Sequence, residues 1–253
     1  MNALQLTRLF IFDRSRRILG LIGFGVLFIV AGLAARALTG QEGHVELGQL
    51  LQMGGYPLVS AMLLLGWLIG RYPIIAALVL LAGLFSGDRA NGYARLYGVR
   101  PVSFLQLYGL RFLVLLAIAF LLGAVLLPIF DVIMLGAWAG PATLVLIACY
   151  VLLYGSLVSF LSIFTRADAW IALALALIAM IWEALRRGNA LNDAPPIVRD
   201  VISFLLPPQG PLFRIETAFA EMQPIPWSAV GYVVGYSFVL LLAAAVFGTD
   251  REL

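Results

Sequence analysis

Six runs of mainly apolar residues constrain this chain more than any other feature, and five of them are close to the length of a membrane-spanning helix. A helix that crosses the hydrocarbon core of a bilayer needs about 20 such residues. The runs cover residues 18–38, 56–85, 111–130, 143–164, 169–185 and 227–247. Charged residues make up only 11% of the chain, whereas in soluble domains they make up about a quarter. The sequence therefore predicts an all-α, polytopic membrane protein with six spans in one transmembrane domain, residues 1–253.

The second run is unusual because Gly70, Arg71, Tyr72 and Pro73 interrupt it. As one helix the run would be about 45 Å long, longer than the hydrocarbon core is thick. Each half is too short to cross alone, so one long, tilted or kinked helix is favoured over a hairpin.

The positions of the arginines predict the orientation, since basic residues near span ends remain cytoplasmic. With both termini inside, ten arginines lie on the inner side. The chain is therefore predicted to be a multi-pass protein of the cell's inner (plasma) membrane with both termini cytoplasmic. On the outer side, apolar residues recur at helical spacing within 197–205, which predicts a short helix lying on the outer interface.

The chain contains no lysine, one histidine (His44) and one cysteine (Cys149). Without a lysine it cannot build the usual phosphate-binding loop or the Schiff base of a pyridoxal enzyme. Too few ligands are present for a zinc cage or a redox pair. The arginines stand beside apolar runs, where they indicate membrane edges rather than a nucleic-acid surface. We therefore expect no catalytic residues, no metal site and no nucleic-acid partner.

The connection between the second and third runs, residues 86–103, carries the most specific pattern. Asp88 is suited to the first turn of a short helix, and Arg95 lies near the end of that helix. Gly98 and Pro101 would stop it. The pattern predicts a short, basic, amphipathic helix on the cytoplasmic side.

This connection resembles the matching loop in permease subunits of ABC exporters of the second export class. In that family an acidic residue precedes a glycine, a leucine-rich turn, a proline and a basic residue at the next span. Asp88, Gly92, Leu96, Pro101 and Arg111 fall on that pattern. The six spans, an arginine-rich amphipathic segment before the first span and the long outer connection also resemble the family. The loop spacing is similar to that of permeases used in nitrous oxide reductase maturation.

The resemblance implies a mechanism. In the family this loop forms a coupling helix that sits in a groove of a separate ATP-binding cassette ATPase, which binds ATP and magnesium. Two permeases, either two copies or two related chains, pair around a central pathway, and membrane lipid surrounds the pair. The residues that the resemblance assigns to ATPase coupling are Asp88, Arg89, Asn91, Gly92, Tyr93, Arg95, Leu96, Arg100 and Pro101. Two alternatives remain open. The segment itself could be an ordinary solvated basic loop. The chain as a whole could be a non-transporting scaffold or assembly subunit of a larger membrane complex.

Charges inside the spans are the other candidates, because placing a charge in hydrocarbon costs about a few kcal/mol or more. Arg71 is predicted to lie in the outer leaflet. It either snorkels outward or pairs with Glu183 in the fifth span or Asp131 at the outer end of the third. The resemblance places spans two and five beside the pathway, which favours Glu183. Arg111 and Asp168, at inner span ends, are predicted to be interfacial anchors.

Overall fold

A computed structural model describes residues 3–39, 67–90, 104–138, 140–191, 195–221 and 223–250, and in these ranges the chain is helical with turns and no strand. The helices are α1 (Ala3–Asp13), α2 (Ser15–Thr39), α3 (Tyr72–Leu81), α4 (Ser86–Ala90), α5 (Phe104–Leu135), α6 (Ala142–Ser162), α7 (Asp168–Arg187), α8 (Pro196–Leu205), α9 (Gln209–Ala220) and α10 (Trp227–Asp250). Six helical segments are long and apolar enough to span a membrane, as the sequence predicts. They lie in α2, α3 with α4, α5, α6, α7 and α10, as expected of a multi-pass membrane protein.

α6 is the central helix of the bundle. It packs against α3, α5, α7, α9 and α10, and its side chains Leu153, Tyr154 and Val158 are fully buried. Gly155 allows the close approach of α3, because a Cβ at this position would lie 2.8 Å from Cδ1 of Leu81. In contrast, α2, α7 and α10 bury only 22%, 22% and 17% of their spanning windows. These three helices therefore form much of the outer surface of the bundle.

The second span is broken at two positions. The first break is at the predicted place: Arg71 is a turn residue, and α3 begins at Tyr72 with Pro73 in its first turn, where a backbone N–H has no helical partner to lose. The second break was not predicted. α3 ends at Leu81, and Gly83 adopts the left-handed conformation (φ +70°) that glycine favours. The prediction of one helix through residue 85 was wrong at this end, and residues 56–66 lie outside the described ranges.

The connection between α7 and α10 folds back into the bundle. The helix predicted over 197–205 is confirmed as α8, and a second helix, α9, follows it after a buried turn. At this turn Gln209 donates a hydrogen bond of 2.5 Å from Nε2 to the hydroxyl of Tyr154. Tyr154 lies about 18 Å along α6 from the first residue of that helix. The turn between α8 and α9 therefore reaches the middle of α6, and α9 is a helix that the sequence analysis did not predict. The position of α8 on the outer interface stays a prediction.

Candidate functional sites

The segment that resembles a coupling helix begins in α4. Of the residues that the resemblance assigns to ATPase coupling, the structure describes Asp88 and Arg89. The others lie outside the described ranges: Asn91, Gly92, Tyr93, Arg95, Leu96, Arg100 and Pro101. The described geometry therefore shows how the start of this segment is attached to the bundle.

Asp88 is bound by a buried arginine. Arg111 donates from Nη1 to Oδ2 of Asp88 and from Nη2 to Oδ2 of Asp13, each at 2.7 Å. Arg111 and Asp88 are only 4% and 6% exposed, whereas the side chain of Asp13 is 58% exposed. The ring of Phe10 lies 5.6 Å from the guanidinium carbon of Arg111. Arg111 thus connects α1, α4 and α5, and its prediction as an interfacial anchor was wrong.

Arg14 and Asp168 bind the end of α3. Arg14 donates from Nη1 to the carbonyl oxygen of Ala82 at 2.8 Å and from Nη2 to that of Gly83 at 3.3 Å. A cation at this position matches the negative end of the helix dipole of α3. The carbonyl oxygen of Gly83 also accepts from the backbone N–H of Gly87 at 3.1 Å. Burial lowers the pKa of Arg14 to about 10, so its side chain stays protonated at neutral pH.

Asp168 completes this group of charges. Its Oδ2 accepts a hydrogen bond of 2.7 Å from the backbone N–H of Gly83, and the residue is only 2% exposed. The prediction that Asp168 is an interfacial anchor was therefore also wrong. We call five of the charged residues of this region the basal cluster: Asp13, Arg14, Asp88, Arg111 and Asp168.

α4 is also bound to the end of α6. Arg89 donates from Nη2 to the carbonyl oxygens of Ser162 at 2.9 Å and Ile163 at 2.5 Å. The hydroxyl of Ser162 accepts from the backbone N–H groups of Phe85 at 3.0 Å and Ser86 at 3.1 Å. With the basal cluster, these bonds connect α4 to α1, α5, α6 and the start of α7. Moving α4 alone would break several buried polar contacts, each of which is costly to leave unpaired.

A second polar site consists of Arg71, Tyr150 and Glu216, and we call it the Arg71 site. Arg71 donates from Nη1 to Oε1 of Glu216 and to the hydroxyl of Tyr150, and from Nη2 to Oε2 of Glu216 at 3.2 Å. Tyr150 in turn donates to Oε1 of Glu216. The side chains of Arg71 and Glu216 are 20% and 23% exposed. Two-point pairing between arginine and carboxylate is the strong form of this contact, so Arg71 does not need to reach the interface.

Both predicted partners of Arg71 were wrong. Oε1 of Glu183 lies 3.2 Å from Nε of Arg187, one turn further along α7. Gly210 leaves space for this carboxylate, since a Cβ there would lie 3.3 Å from Oε2 of Glu183. Within the described ranges, Asp131 of α5 is not a partner of Arg71 either.

Glu216 was missed because its helix was not predicted. α9 packs against α6, α7 and α10, and that packing brings Glu216 to Arg71. One signal in the sequence could have found this helix. Leu212, Ile215 and Ala218 recur three residues apart, a spacing that fits one face of a helix, and all three are buried.

A cavity of about 420 Å³ lies beside the Arg71 site. Arg71, Glu216, Gln209 and Arg187 contribute its polar groups. Its volume is in the range of sites that bind small molecules, about 300–1,000 Å³. The described part of the chain thus holds two candidate regions, the basal cluster and the Arg71 site with its cavity.

Comparison with protein-family models, with curated proteins and with solved structures found no match to this chain. The choice of function therefore depends on what these two regions can do physically. Arg111 of the basal cluster joins α1, α4 and α5 through two hydrogen bonds, and the Arg71 site places an ion pair beside a cavity.

Proposed function

We propose that this chain is the membrane-spanning permease subunit of an ABC exporter of the second export class, located in the inner (plasma) membrane with both termini cytoplasmic. A separate ATP-binding cassette ATPase holds ATP and Mg²⁺ and hydrolyses the nucleotide. This chain couples that hydrolysis to substrate movement or mechanical work across the membrane. A second copy, or a related permease, forms the other half of the pathway.

The observation that carries the proposal is the attachment of α4. The segment that resembles the family's coupling helix starts at Asp88, and Asp88 is one partner of a buried ion pair with Arg111. A coupling segment must pass the force of the ATPase to the spans. Here the force would reach α5 through Arg111, α1 through Asp13 and α6 through Arg89. The absence of lysine supports a separate energy source, because this chain has no residue for the usual phosphate-binding loop.

The contact with the ATPase is tested by reversing two charges in the coupling segment. We expect Arg95→Glu combined with Arg100→Glu to release the ATPase during purification in mild detergent, because repulsive contacts replace attractive ones across the interface. The permease itself should remain in the membrane. Mass spectrometry of the material purified from the native membrane, with the phosphate-loop protein quantified, gives the result.

The matched control is Arg8→Glu combined with Arg166→Glu, which makes the same change of charge at two exposed positions on the predicted cytoplasmic side. Equal recovery of the ATPase from both double variants would contradict the coupling assignment. Wild-type material that contains other membrane subunits but no phosphate-loop protein would favour the scaffold alternative.

The orientation is tested separately by cysteine labelling after Cys149 is replaced. A probe that cannot cross the membrane should label a cysteine at position 43 or 192 from outside, but not one at position 91 or 249. The expectation follows from the ten inner arginines. Labelling of position 91 from outside would place the coupling segment on the wrong side and refute the proposal.

A further inference from the structure

The cavity beside the Arg71 site combines charged groups with apolar walls. It lies between α7, α9 and the helical residues that precede α3. Arg71 and Glu216 line it on one side, and Arg187 reaches it from the end of α7. Apart from Gln209, its other lining residues are aromatic or apolar: Trp67, Leu177, Met180, Ile181, Ala184 and Phe213.

The charged groups lie at different depths. Arg187 is the last residue of α7, and along that helix Ile181 and Leu177 lie about 9 Å and 15 Å deeper. Tyr150, which binds Arg71, lies about 12 Å along α6 from the first residue of that helix. The cavity therefore extends from an arginine at the rim to an ion pair within the spanning region.

The α7 wall of the cavity faces the outside of the bundle. Leu177 and Ile181 are 46% and 61% exposed, and Trp67 is 49% exposed. Exposed apolar residues on a spanning helix meet acyl chains in a bilayer. A cavity with this wall opens sideways from the bundle. It opens toward acyl chains around a single chain, and toward the shared pathway where two permeases pair along spans two and five.

The guanidinium of Arg187 has N–H groups that are available to another acceptor. Its Nε lies 3.2 Å from Glu183, and its guanidinium carbon lies 3.4 Å from the centroid of the Phe213 ring. Within the ranges that the structure describes, Glu183 and Phe213 are the partners of this guanidinium, and neither of its Nη groups donates a hydrogen bond there. The side chain is 39% exposed. These two Nη groups match the paired oxygens of a phosphate or a carboxylate.

We propose that this cavity binds an amphipathic anion. The phosphate or carboxylate head lies at Arg187, facing the Arg71 site, and the hydrocarbon tail lies along Leu177 and Ile181. A free hydrophilic anion would leave the apolar wall uncovered, and a neutral lipid would leave the Nη groups of Arg187 unpaired. The proposal concerns binding alone and needs no ATPase, so it and the proposed function fail or stand independently.

The test uses the fluorescence of Trp67, which lines the cavity. The full chain is placed in phosphatidylcholine nanodiscs that contain brominated phosphatidylglycerol, brominated phosphatidylcholine or a brominated fatty acid as quencher. The fluorescence of Trp67 is obtained by subtracting the emission of the Trp67→Phe variant from that of the wild-type chain. We expect a brominated anion to quench Trp67 at a lower mole fraction than brominated phosphatidylcholine does. Preferential quenching by phosphatidylglycerol identifies the ligand as a membrane lipid, and preferential quenching by the fatty acid identifies it as a free amphiphile. Preference for either anion over phosphatidylcholine supports the proposal.

Two variants move the result in opposite directions. Arg187→Gln should raise the mole fraction of anion needed for half-maximal quenching about tenfold, the loss expected for one charge-assisted hydrogen bond. Glu216→Gln should lower it, because Arg71 then has donors free for the anion. Arg186→Gln is the matched control, since Arg186 is the neighbouring arginine but lines a different cavity, between α7, α8 and the start of α9.

Three outcomes would overturn the proposal. Equal quenching by anionic and zwitterionic lipids would show that no head is recognised. Equal effects of Arg186→Gln and Arg187→Gln would show that the preference for the anion arises from surface charge alone. Reversal of the quenching by inorganic phosphate, but not by chloride at the same ionic strength, would show that the tail is not needed.

Discussion

The two carboxylates that bind Arg111 provide a comparison within one site. Both accept a hydrogen bond from Arg111 at 2.7 Å, but Asp88 is buried and the side chain of Asp13 is 58% exposed. An exposed ion pair contributes about 0–1 kcal/mol. Removing one partner of a buried pair costs about 3–5 kcal/mol, because the other charge loses its compensation. We therefore expect Asp88→Asn to lower the free energy of unfolding by about 3 kcal/mol and Asp13→Asn by less than about 1 kcal/mol.

Thermal unfolding of the purified chain in detergent, followed by tryptophan fluorescence, measures this difference. For a chain of this length 1 kcal/mol corresponds to about 2–4 °C in Tm. Asp88→Asn should thus lower Tm by about 6–12 °C and Asp13→Asn by no more than about 4 °C. Oδ2 of Asp13 also lies 3.6 Å from Nε of Arg14. Equal shifts would refute the reasoning, because both carboxylates share the donor and the distance and differ in burial.

A double replacement separates stability from coupling. Asp88→Leu with Arg111→Met removes both buried charges together, and apolar replacement of a buried ion pair is often neutral or stabilising. This variant should melt close to the wild type and well above Asp88→Asn. It should still lose transport-coupled ATP hydrolysis, because the polar link between α4 and α5 is gone. Wild-type coupling in a stable double variant would show that the ion pair does not transmit the motion.

The Arg71 site and the close approach at Gly155 are tested by similar comparisons. A double-mutant cycle of Arg71→Ala and Glu216→Ala should give a coupling energy of about 2 kcal/mol in thermal or denaturant unfolding, whereas Arg71→Ala and Glu183→Ala should be additive within about 0.5 kcal/mol. The opposite pattern would restore Glu183 as the partner. Gly155→Ala places a methyl group 2.8 Å from a leucine carbon, whereas a Cβ at Gly235 meets nothing within 4 Å. Gly155→Ala should therefore melt about 2–6 °C below Gly235→Ala, and equal melting temperatures would contradict this packing.

Features that depend on residues close to one another in the sequence were predicted well. The spans follow from runs of apolar residues, the start of α3 follows from Pro73, and α8 follows from the helical spacing within 197–205. The end of α3 was missed, although Gly83 is a common kind of helix stop, because the apolar run continues past it. Arg111 was predicted to be an interfacial anchor because its position at a span end does not reveal that α1 packs over it.

The sequence by itself determined the helical class and the six spans, because a bilayer requires about 20 mainly apolar residues in a row, and such a run is a property of one segment. The tertiary structure alone decided which charges meet. Arg71 and Glu216 are separated by 145 positions, and they pair because α9 folds back against α6, α7 and α10. A charge held within the spans needs an opposite charge or water, but any acid within reach can provide it. Long-range packing of α9 therefore selected Glu216 over Glu183, and no local pattern in the chain carries that choice.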